Sequence, residues 1–356
     1  MNLPTKKELL TIAESNALRG IAILGIILHN YCHFLGFAVK ENEYTFTLSK
    51  PMMLFDRLSA GADYLFVHVM SFFGHYGVPI FLFISGFGLV RKYEQSMEAS
   101  VKTSSFVKFH YFKLLRLMFL GYIAFAVVSY LHPHGYHGYN LSRVVAQILM
   151  YINLLPDPDH IIKPGPYWFF GLMLQLYIVY KLFLYKRSSW YTIALIALCW
   201  LIQALFPPSI DTNGEILNRL RYNFIGGMLP FGAGILYARY GLCLNKWGNM
   251  IVVFISAAFV FIGSFNFQMW LWVPLFVVTG SVATIKLFPE TVLKPFVWFG
   301  VLSSALFVAH PITREIIIKM SYRGWIYTGL AVYISTSLLL AWLFKLLLKY
   351  IPKPKL

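Results

Sequence analysis

The main pattern along the chain is a series of long apolar segments separated by short polar ones. Each segment is long enough to cross a bilayer core about 30 Å thick as a helix. Ten such segments lie at 18–36, 64–90, 112–131, 166–184, 190–206, 222–240, 249–265, 269–286, 295–311 and 324–348. A further apolar stretch at 143–155 is too short to span and predicts an interfacial or re-entrant helix. The pattern predicts an all-α polytopic membrane protein with about ten transmembrane helices.

Composition supports this prediction and extends it to the whole chain. Of 356 residues, 58% are hydrophobic and only 12% are charged, whereas a soluble domain has about 25% charged residues. No soluble appendage interrupts the pattern, so we expect a single integral membrane domain over 1–356. Lys6 and Lys7 precede the first apolar stretch as in a signal peptide. That stretch is long and lacks an A-x-A cleavage pattern, so we interpret it as a retained first span.

The charge of the chain indicates its orientation. The net charge of +16 would suit a nucleic-acid partner, but the basic residues occur in short runs between apolar segments, so we expect none. With the N-terminus in the cytoplasm, about 20 lysines and arginines fall inside and about 10 outside. Counting 143–155 as an eleventh span would invert every later loop. The distribution therefore predicts that both termini are cytoplasmic.

The first span contains the strongest candidate for chemistry. Arg19 and His29 are ten positions apart, which is about 15 Å along a helix. With Arg19 at one membrane face, His29 lies near the middle of the bilayer, where a titratable side chain is costly unless it serves a function. An interior histidine bonded to a neighbouring helix is the structural alternative. His33, four residues on, could form a metal-binding pair with His29, but no third ligand is apparent, so we predict no metal site and expect His33 near the outer mouth of the same cavity.

Other polar or aromatic residues near the outer ends of spans could contact a substrate. His75 lies in the outer half of the second span, and His310 is expected at the outer end of the ninth. Trp168 suits either an aromatic belt at the interface or a platform for a sugar ring. Gln175, one or two turns below Trp168, is a buried polar group that needs a partner.

Positive charge is concentrated at the inner end of the second and third spans. Arg91, Lys113 and Arg116 lie there. Ordinary anchoring by positive residues on the inner side explains most of them. The alternative is a cradle for a phosphate-bearing donor, which an arginine fork would bind well. For Arg116, both interpretations remain open.

Four stretches of the chain resemble acyltransferase family 3, a family of integral membrane O-acyltransferases. They are LRGIAILGIILH, GVPIFLFISGF, PYWFFGLMLQLYIVY and SSALFVAHP. The first is the most specific, because it joins an arginine and a histidine at the family's spacing. Within the family, the chain is most similar to bacterial inner-membrane O-acetyltransferases of the enterobacterial common antigen type.

The resemblance implies a reaction and a set of residues. It implies that an acyl group, with acetyl expected, passes from cytoplasmic acyl-CoA to a hydroxyl of a surface carbohydrate or its lipid-linked intermediate. His29 matches the family's catalytic histidine, and Arg19 matches its partner. Lys113 and Arg116 fall where the family has an R-x-x-R type motif, with lysine in the first slot. Many members have a glutamate where Gln175 stands.

Two other functions are compatible with the sequence. A transporter or flippase for a saccharide or lipid-linked intermediate would move its substrate without consuming acyl-CoA. Transporters commonly have internal repeats and acidic residues within their spans. This chain shows no internal repeat and few acidic residues within its spans, which counts against a transporter. A non-catalytic membrane subunit is the third possibility, and His29 would then be dispensable.

Overall fold

The computed structural model describes residues 9–96, 100–132 and 136–356, and the regular secondary structure in these ranges is entirely helical. The helices are α1 (Ile12–Cys32), α2 (Ser49–Ser59), α3 (Leu65–Phe73), α4 (Gly77–Val90), α5 (Thr103–Leu131), α6 (Leu141–Ile148), α7 (Trp168–Val179), α8 (Ser189–Ala204), α9 (Glu215–Arg221), α10 (Phe224–Tyr240), α11 (Lys246–Gly263), α12 (Phe267–Trp270), α13 (Val273–Leu287), α14 (Glu290–Tyr322) and α15 (Ile326–Leu347). Short 3-10 turns occupy Gly74–Tyr76, Ile152–Leu154 and Gly165–Tyr167, and π-helical turns occupy Arg91–Gln95 and Tyr180–Leu184.

The ten apolar segments predicted from the sequence all form helices. Among the described residues, seven helical segments are long and apolar enough to cross a membrane. They contain α1, α3 with α4, α5, α7, α11, α14 and α15. Two shorter apolar helices, α8 and α13, and the 17-residue α10 account for the other three segments. The prediction of an all-helical, polytopic membrane protein is therefore confirmed. Below, the outer side is the side at which α1 ends, and the inner side, expected to be cytoplasmic, is the side at which it begins.

Helix α1 packs against α14 with their backbones in direct contact. A Cβ atom added to Gly20 would lie 1.9 Å from the carbonyl oxygen of Phe296, and one added to Gly300 would lie 1.9 Å from that of Asn16. No side chain fits at either position without moving a helix. Small residues permit this kind of approach, which membrane helices use because lipid offers little hydrophobic drive for their association.

The opposite face of α1 packs against the junction of α3 and α4. A Cβ atom on Gly77 would lie 2.2 Å from the Ala22 carbonyl oxygen, and one on Gly74 would lie 2.7 Å from the Cβ atom of His29. Gly74 begins the 3-10 turn that separates α3 from α4. The close contacts hold the part of α1 that carries His29 between two neighbours.

The sequence predicted an interfacial or a re-entrant helix at 143–155, and the hydrogen bonds of α6 favour the re-entrant one. Tyr136 precedes it, and the Tyr136 hydroxyl donates to the carbonyl oxygen of Ile161 (3.4 Å). Arg143 Nη1, on α6 itself, donates to the same oxygen (3.0 Å). At the other end of α6, the Tyr111 hydroxyl of α5 donates to the Ile148 carbonyl oxygen (3.3 Å). After the outer end of α5, the chain thus runs inward beside α5 and then returns to the outer side.

The glycine contacts of α1 predict a strong effect of a single methyl group. Gly20→Ala should lower thermal stability, since the added Cβ collides with backbone rather than with a flexible side chain, and such overpacking costs about 1–3 kcal/mol. Gly88→Ala is the matched control, because nothing lies within 4 Å of its added Cβ. Thermal unfolding in detergent micelles measures both. Equal melting temperatures for the two variants would contradict the packing described here.

Candidate functional site

A cavity of about 490 Å³ lies at the outer end of α1. Its walls come from α1, the 3-10 turn before α4, α7, α14 and the outer loops at 33–48 and 155–167. The lining side chains include His29, His33, Glu41, Glu43, Tyr44, His75, Asp159, Lys163, Trp168, Tyr222 and Arg314. Of the residues predicted to contact substrate, the structure therefore brings His33, His75 and Trp168 together around His29.

The ring of His29 has one nitrogen bound to backbone and the other facing the cavity. Nδ1 lies 2.8 Å from the carbonyl oxygen of Ser71. Because a carbonyl can only accept, Nδ1 carries the proton, and the lone pair of the neutral ring is on Nε2. The 3-10 turn at Gly74–Tyr76 makes this bond available, since its hydrogen bonds reach back three residues instead of four and leave the Ser71 carbonyl outside the helical ladder.

Two glutamates from the loop after α1 face the histidines. Glu43 Oε2 lies 3.9 Å from His29 Nε2, and Glu41 Oε2 lies 2.8 Å from His33 Nδ1. Burial acts to raise the pKa of Glu41, but His29 and His33 outweigh it and hold that pKa below the usual range. Burial, together with the charge of Glu41, raises the pKa of Glu43 well above its usual value. The same cavity therefore contains one carboxyl group with a lowered pKa, that of Glu41, which is ionised, and one with a raised pKa, that of Glu43.

The loop that carries these glutamates is held by its own hydrogen bonds. The Asn42 side chain bonds both the N–H and the carbonyl oxygen of Thr47 (2.9 and 3.1 Å). Lys50 Nζ donates to the Glu41 carbonyl oxygen (2.7 Å), and Trp270 Nε1 donates to that of Asn42 (2.8 Å). The sequence alone does not indicate Glu41 or Glu43 as site residues. The only signal in the sequence is that both are acidic and lie in an outer loop that follows the histidine-bearing span.

Trp168 forms part of the cavity wall instead of a belt in contact with lipid. Its side chain is only 6% exposed. It packs edge-to-face against Tyr44 and Tyr222, with ring centroids 5.4 and 5.0 Å away. Tyr44 in turn stacks on Tyr222 at 3.8 Å. Of the two interpretations open for Trp168, this position favours the aromatic platform.

His75 lies deep in the cavity wall with its polar atoms unused. It is 4% exposed, and its ring centroid is 5.7 Å from that of His29. Within the described residues, neither ring nitrogen has a hydrogen-bond partner of normal geometry. A buried imidazole with both nitrogens unpaired is costly, so a ligand or water in the cavity is the natural partner for His75.

Two residues predicted to contact substrate, His310 and Gln175, do not line the cavity. His310 does not end its span, because α14 continues to Tyr322; the side chain is fully buried (0% exposed) and its Nδ1 lies 3.1 Å from the Leu306 carbonyl oxygen. Its expected position at a helix end is therefore wrong, since the two prolines inside α14 do not stop the helix. Gln175 has the partner it needs: Nε2 donates to Asn223 Oδ1 (2.8 Å), and Oε1 accepts from the Phe224 N–H (2.9 Å). Neither residue is among those that line the cavity.

At the inner side, positive charges gather around Arg19. Arg19 Nη1 donates to Asn16 Oδ1 (2.9 Å), and Lys113 is close enough to both Arg19 and Lys92 for their charges to repel. Within the described part of the chain, none of these three cations is ion-paired with a carboxylate. Such a cluster is suited to an anionic ligand.

Arg116 and Arg91, the other two residues predicted at the inner side, have different surroundings. Arg116 Nε donates to the Ile351 carbonyl oxygen (3.1 Å), so Arg116 lines a groove shared with the C-terminal segment. Arg91 Nη1 donates to Gln95 Oε1 (3.0 Å) on the exposed π-helical turn. Of the predicted donor-binding residues, Lys113 is therefore the one whose proximity to Arg19 the structure supports most directly.

A second group of polar side chains lies at the rim of the cavity. His160 Nδ1 is 2.7 Å from Asp157 Oδ1 and 3.0 Å from Asp159 Oδ1. The hydrogen bond that His160 donates to Asp159, reinforced by Asp157 and opposed by partial burial, raises the pKa of His160 to about 9. His160 is therefore a cation at neutral pH, and this group is an ion-pair cluster.

One comparison with known proteins identifies similarity over nearly the whole chain. The family model described as "Acyltransferase domain" (Acyl_transf_3) matches residues 12–346. This range contains α1 to α15 apart from the final residue of α15, and it includes every residue of the cavity. No curated protein and no solved structure shows significant similarity to the chain.

The bonds of Gln175 predict a structural cost on substitution. Gln175→Leu should lower thermal stability, because the Phe224 N–H loses its acceptor and Asn223 Oδ1 keeps only the bond from Asn153 Nδ2, at about 1–3 kcal/mol. Gln268→Leu, at an exposed position on α12, is the matched control. Unfolding temperatures in detergent measure the difference. An unchanged melting temperature for Gln175→Leu would show that these bonds contribute nothing to folding.

Proposed function

Because the chain belongs to acyltransferase family 3, a family of membrane-bound O-acyltransferases, we propose that it transfers an acyl group, with acetyl expected, from acyl-CoA to a carbohydrate hydroxyl across the membrane. The acceptor is a surface polysaccharide or its lipid-linked intermediate. The protein belongs in a bacterial inner membrane with both termini in the cytoplasm, as its charge distribution predicts. One observation carries the proposal: the free Nε2 of His29 faces a polar cavity at the outer side, while Arg19 lies in a cationic cluster at the inner end of the same helix.

In this mechanism, His29 acts as a general base. Nε2 takes the proton of the acceptor hydroxyl as its oxygen attacks the acyl carbonyl carbon. The new C–O ester bond forms, the C–S bond of the thioester breaks, and the proton passes to the leaving thiolate to give free CoA. A covalent acyl-imidazole intermediate is the alternative route. No step requires a metal.

Glu43 and Ser71 support this role of His29. The Ser71 carbonyl holds the ring in the tautomer that leaves Nε2 free. Glu43 lies 3.9 Å from Nε2, and the ionised carboxylate of Glu41 beside it is placed to stabilise the imidazolium that forms when the proton is taken. The Tyr44 hydroxyl donates a hydrogen bond to Glu43 Oε1 (2.6 Å) and so holds the Glu43 carboxyl group in this position.

The rest of the cavity is suited to a saccharide. Its volume lies within the range of small-ligand pockets, about 300–1,000 Å³. Trp168 and Tyr44 offer aromatic faces against which the apolar side of a sugar ring packs. The carboxylates and lysines of the outer loops supply hydrogen-bonding groups for its hydroxyls.

At the inner side, Arg19, Lys92 and Lys113 would bind the phosphates of the CoA donor. Charge-assisted bonds to phosphate are about twice as strong as neutral ones. Arg116 and Arg91 would add positive charge at the same membrane face. The thioester end of the donor would then extend along α1 towards His29.

The role of His29 predicts a large loss of activity on substitution. His29→Ala should reduce acyl transfer by at least about 10²-fold, the lower bound for loss of a general base. The assay is thiol release from acetyl-CoA in proteoliposomes with and without a saccharide acceptor, combined with mass spectrometry of the product. His137→Ala, an exposed histidine outside the cavity, is the control.

Each possible result of this assay is informative. Activity retained in purified His29→Ala would end the assignment of the base. Acceptor transport without thiol release in the wild-type protein would favour the transporter. Neither thiol release nor transport would favour a non-catalytic subunit.

The inner cationic cluster predicts an effect on donor affinity. Lys113→Ala should raise the KM for acetyl-CoA about tenfold, equivalent to roughly 1.4 kcal/mol, with a smaller change in kcat. Lys294→Ala, an exposed lysine on the first turns of α14, should leave KM unchanged. Steady-state kinetics at saturating acceptor provide the test. Equal KM values for the two variants would remove Lys113 from the donor site.

A further inference from the structure

The loop after α1 brings a third metal-binding side chain to the histidine pair. His29 and His33 occupy successive turns at the outer end of α1, with ring centroids 5.2 Å apart. Glu41 returns to them from the loop, and one potential ligand atom from each of the three residues lies within 4.8 Å of the others. The sequence offered two histidines at metal-binding spacing and no third ligand. The fold provides Glu41 as the third ligand.

A second observation at the same place points to a missing ligand. His75 is 4% exposed and lines the cavity beside His29. Neither of its ring nitrogens has a hydrogen-bond partner of normal geometry in the described ranges, although the ring lies beside the Phe72 backbone. Glu43 also approaches, with Oε2 3.9 Å from His29 Nε2. Five side chains with metal-binding atoms thus line one small volume, and one of them is buried with its nitrogens unpaired.

The surroundings of the three ligands also suit a metal ion. His29 Nδ1 donates to the Ser71 carbonyl oxygen at 2.8 Å, an arrangement that commonly orients a metal-bound histidine and leaves Nε2 for the ion. Two neutral imidazoles and one carboxylate match the His₂Glu set found at zinc sites. The nearby lysines do not occupy the ligand atoms: Lys40 Nζ and Lys50 Nζ donate to backbone carbonyl oxygens of His33 and Glu41.

We propose that the outer cavity binds a divalent transition-metal ion, zinc in the first place, through His29, His33 and Glu41, with His75 or Glu43 adjoining. Zinc binds such ligands at about 2.0–2.2 Å, which places them about 3.3–3.6 Å apart. A contraction of the present arrangement by at most about 1.5 Å therefore forms the site. The half-exposed His33 has room to make that movement.

Metal binding to His29, His33 and Glu41 would inhibit acyl transfer. The ion takes the Nε2 lone pair of His29, which can then no longer accept the hydroxyl proton. This consequence rests on the proposed function, whereas the metal site itself does not. The site is thus an inhibitory one, through which zinc at the outer side would control acyl transfer.

Direct zinc binding tests the site without reference to activity. The full-length protein, purified in detergent, is titrated with zinc against a chromophoric chelator. His33→Gln and Glu41→Gln should each weaken binding at least about tenfold, since even loss of a group behind a ligand costs 10–100-fold. His137→Gln is the matched control and should bind as the wild type does. Elution of each variant as a single monodisperse peak verifies that it is folded.

A further variant separates this site from the rim cluster. Asp157, Asp159 and His160 also lie within metal-binding distance of one another. His160→Gln should leave zinc affinity unchanged. The proposal is overturned if the wild type binds no zinc, if His33→Gln and Glu41→Gln bind normally, or if His160→Gln alone abolishes binding.

Activity measurements distinguish failure of this inference from failure of the proposed function. Zinc binding that depends on His33 and Glu41 in a protein without acyl transfer would support the site and reject the function. Acyl transfer that persists at saturating zinc would reject the inhibitory role and leave the function intact. Inhibition that a chelator reverses, and that is at least about tenfold weaker in His33→Gln relative to that variant's own zinc-free rate, supports both.

Discussion

The close packing of α1 between α14 and the α3–α4 junction is the constraint on which the rest of the structure depends. Gly20 and Gly300 allow backbone to meet backbone on one face. Gly74 and Gly77 do the same on the other. In a membrane, such contacts replace the hydrophobic drive that holds a soluble core together. Because α1 is fixed on both faces, the position of His29 is determined by helix backbones and not by flexible side chains.

The same packing determines what His29 can do. The break between α3 and α4 lies against His29, and the break leaves the Ser71 carbonyl without a helical partner. That carbonyl binds Nδ1, so Nε2 is left for the cavity. An unbroken second span would have used the carbonyl within its own ladder. The close contact at Gly74 and the free Nε2 of His29 are therefore both consequences of the break between α3 and α4.

Much of the fold could be predicted from the sequence because hydropathy is a local property. The ten apolar segments and the short helix within 143–155 follow from runs of neighbouring residues, whereas His29, predicted near the middle of the bilayer, lies in the last turn of α1. Glu41 and Glu43 could not be found in this way, because their role depends on a loop that returns over the end of α1. The location of His310 was wrong for a related reason: the apolar segment ends at 311, but α14 continues to Tyr322 and buries His310. For Trp168, the sequence allowed both a lipid-facing position and a position in the cavity wall, and its packing against Tyr44 and Tyr222 distinguishes the two.

The partnership of α1 with α14 also has a consequence for biogenesis. The first span leaves the ribosome long before α14 is made, and in the bilayer its glycine face meets only lipid until then. Gly20 and Gly300 can come together only when almost the whole chain has been inserted. Tyr167, just before α7, depends on the same late helix, since its hydroxyl donates to the Val308 carbonyl oxygen at 2.9 Å. Assembly of the cavity is therefore one of the last events in the maturation of this protein, and a chain truncated before α14 would reach the membrane without it.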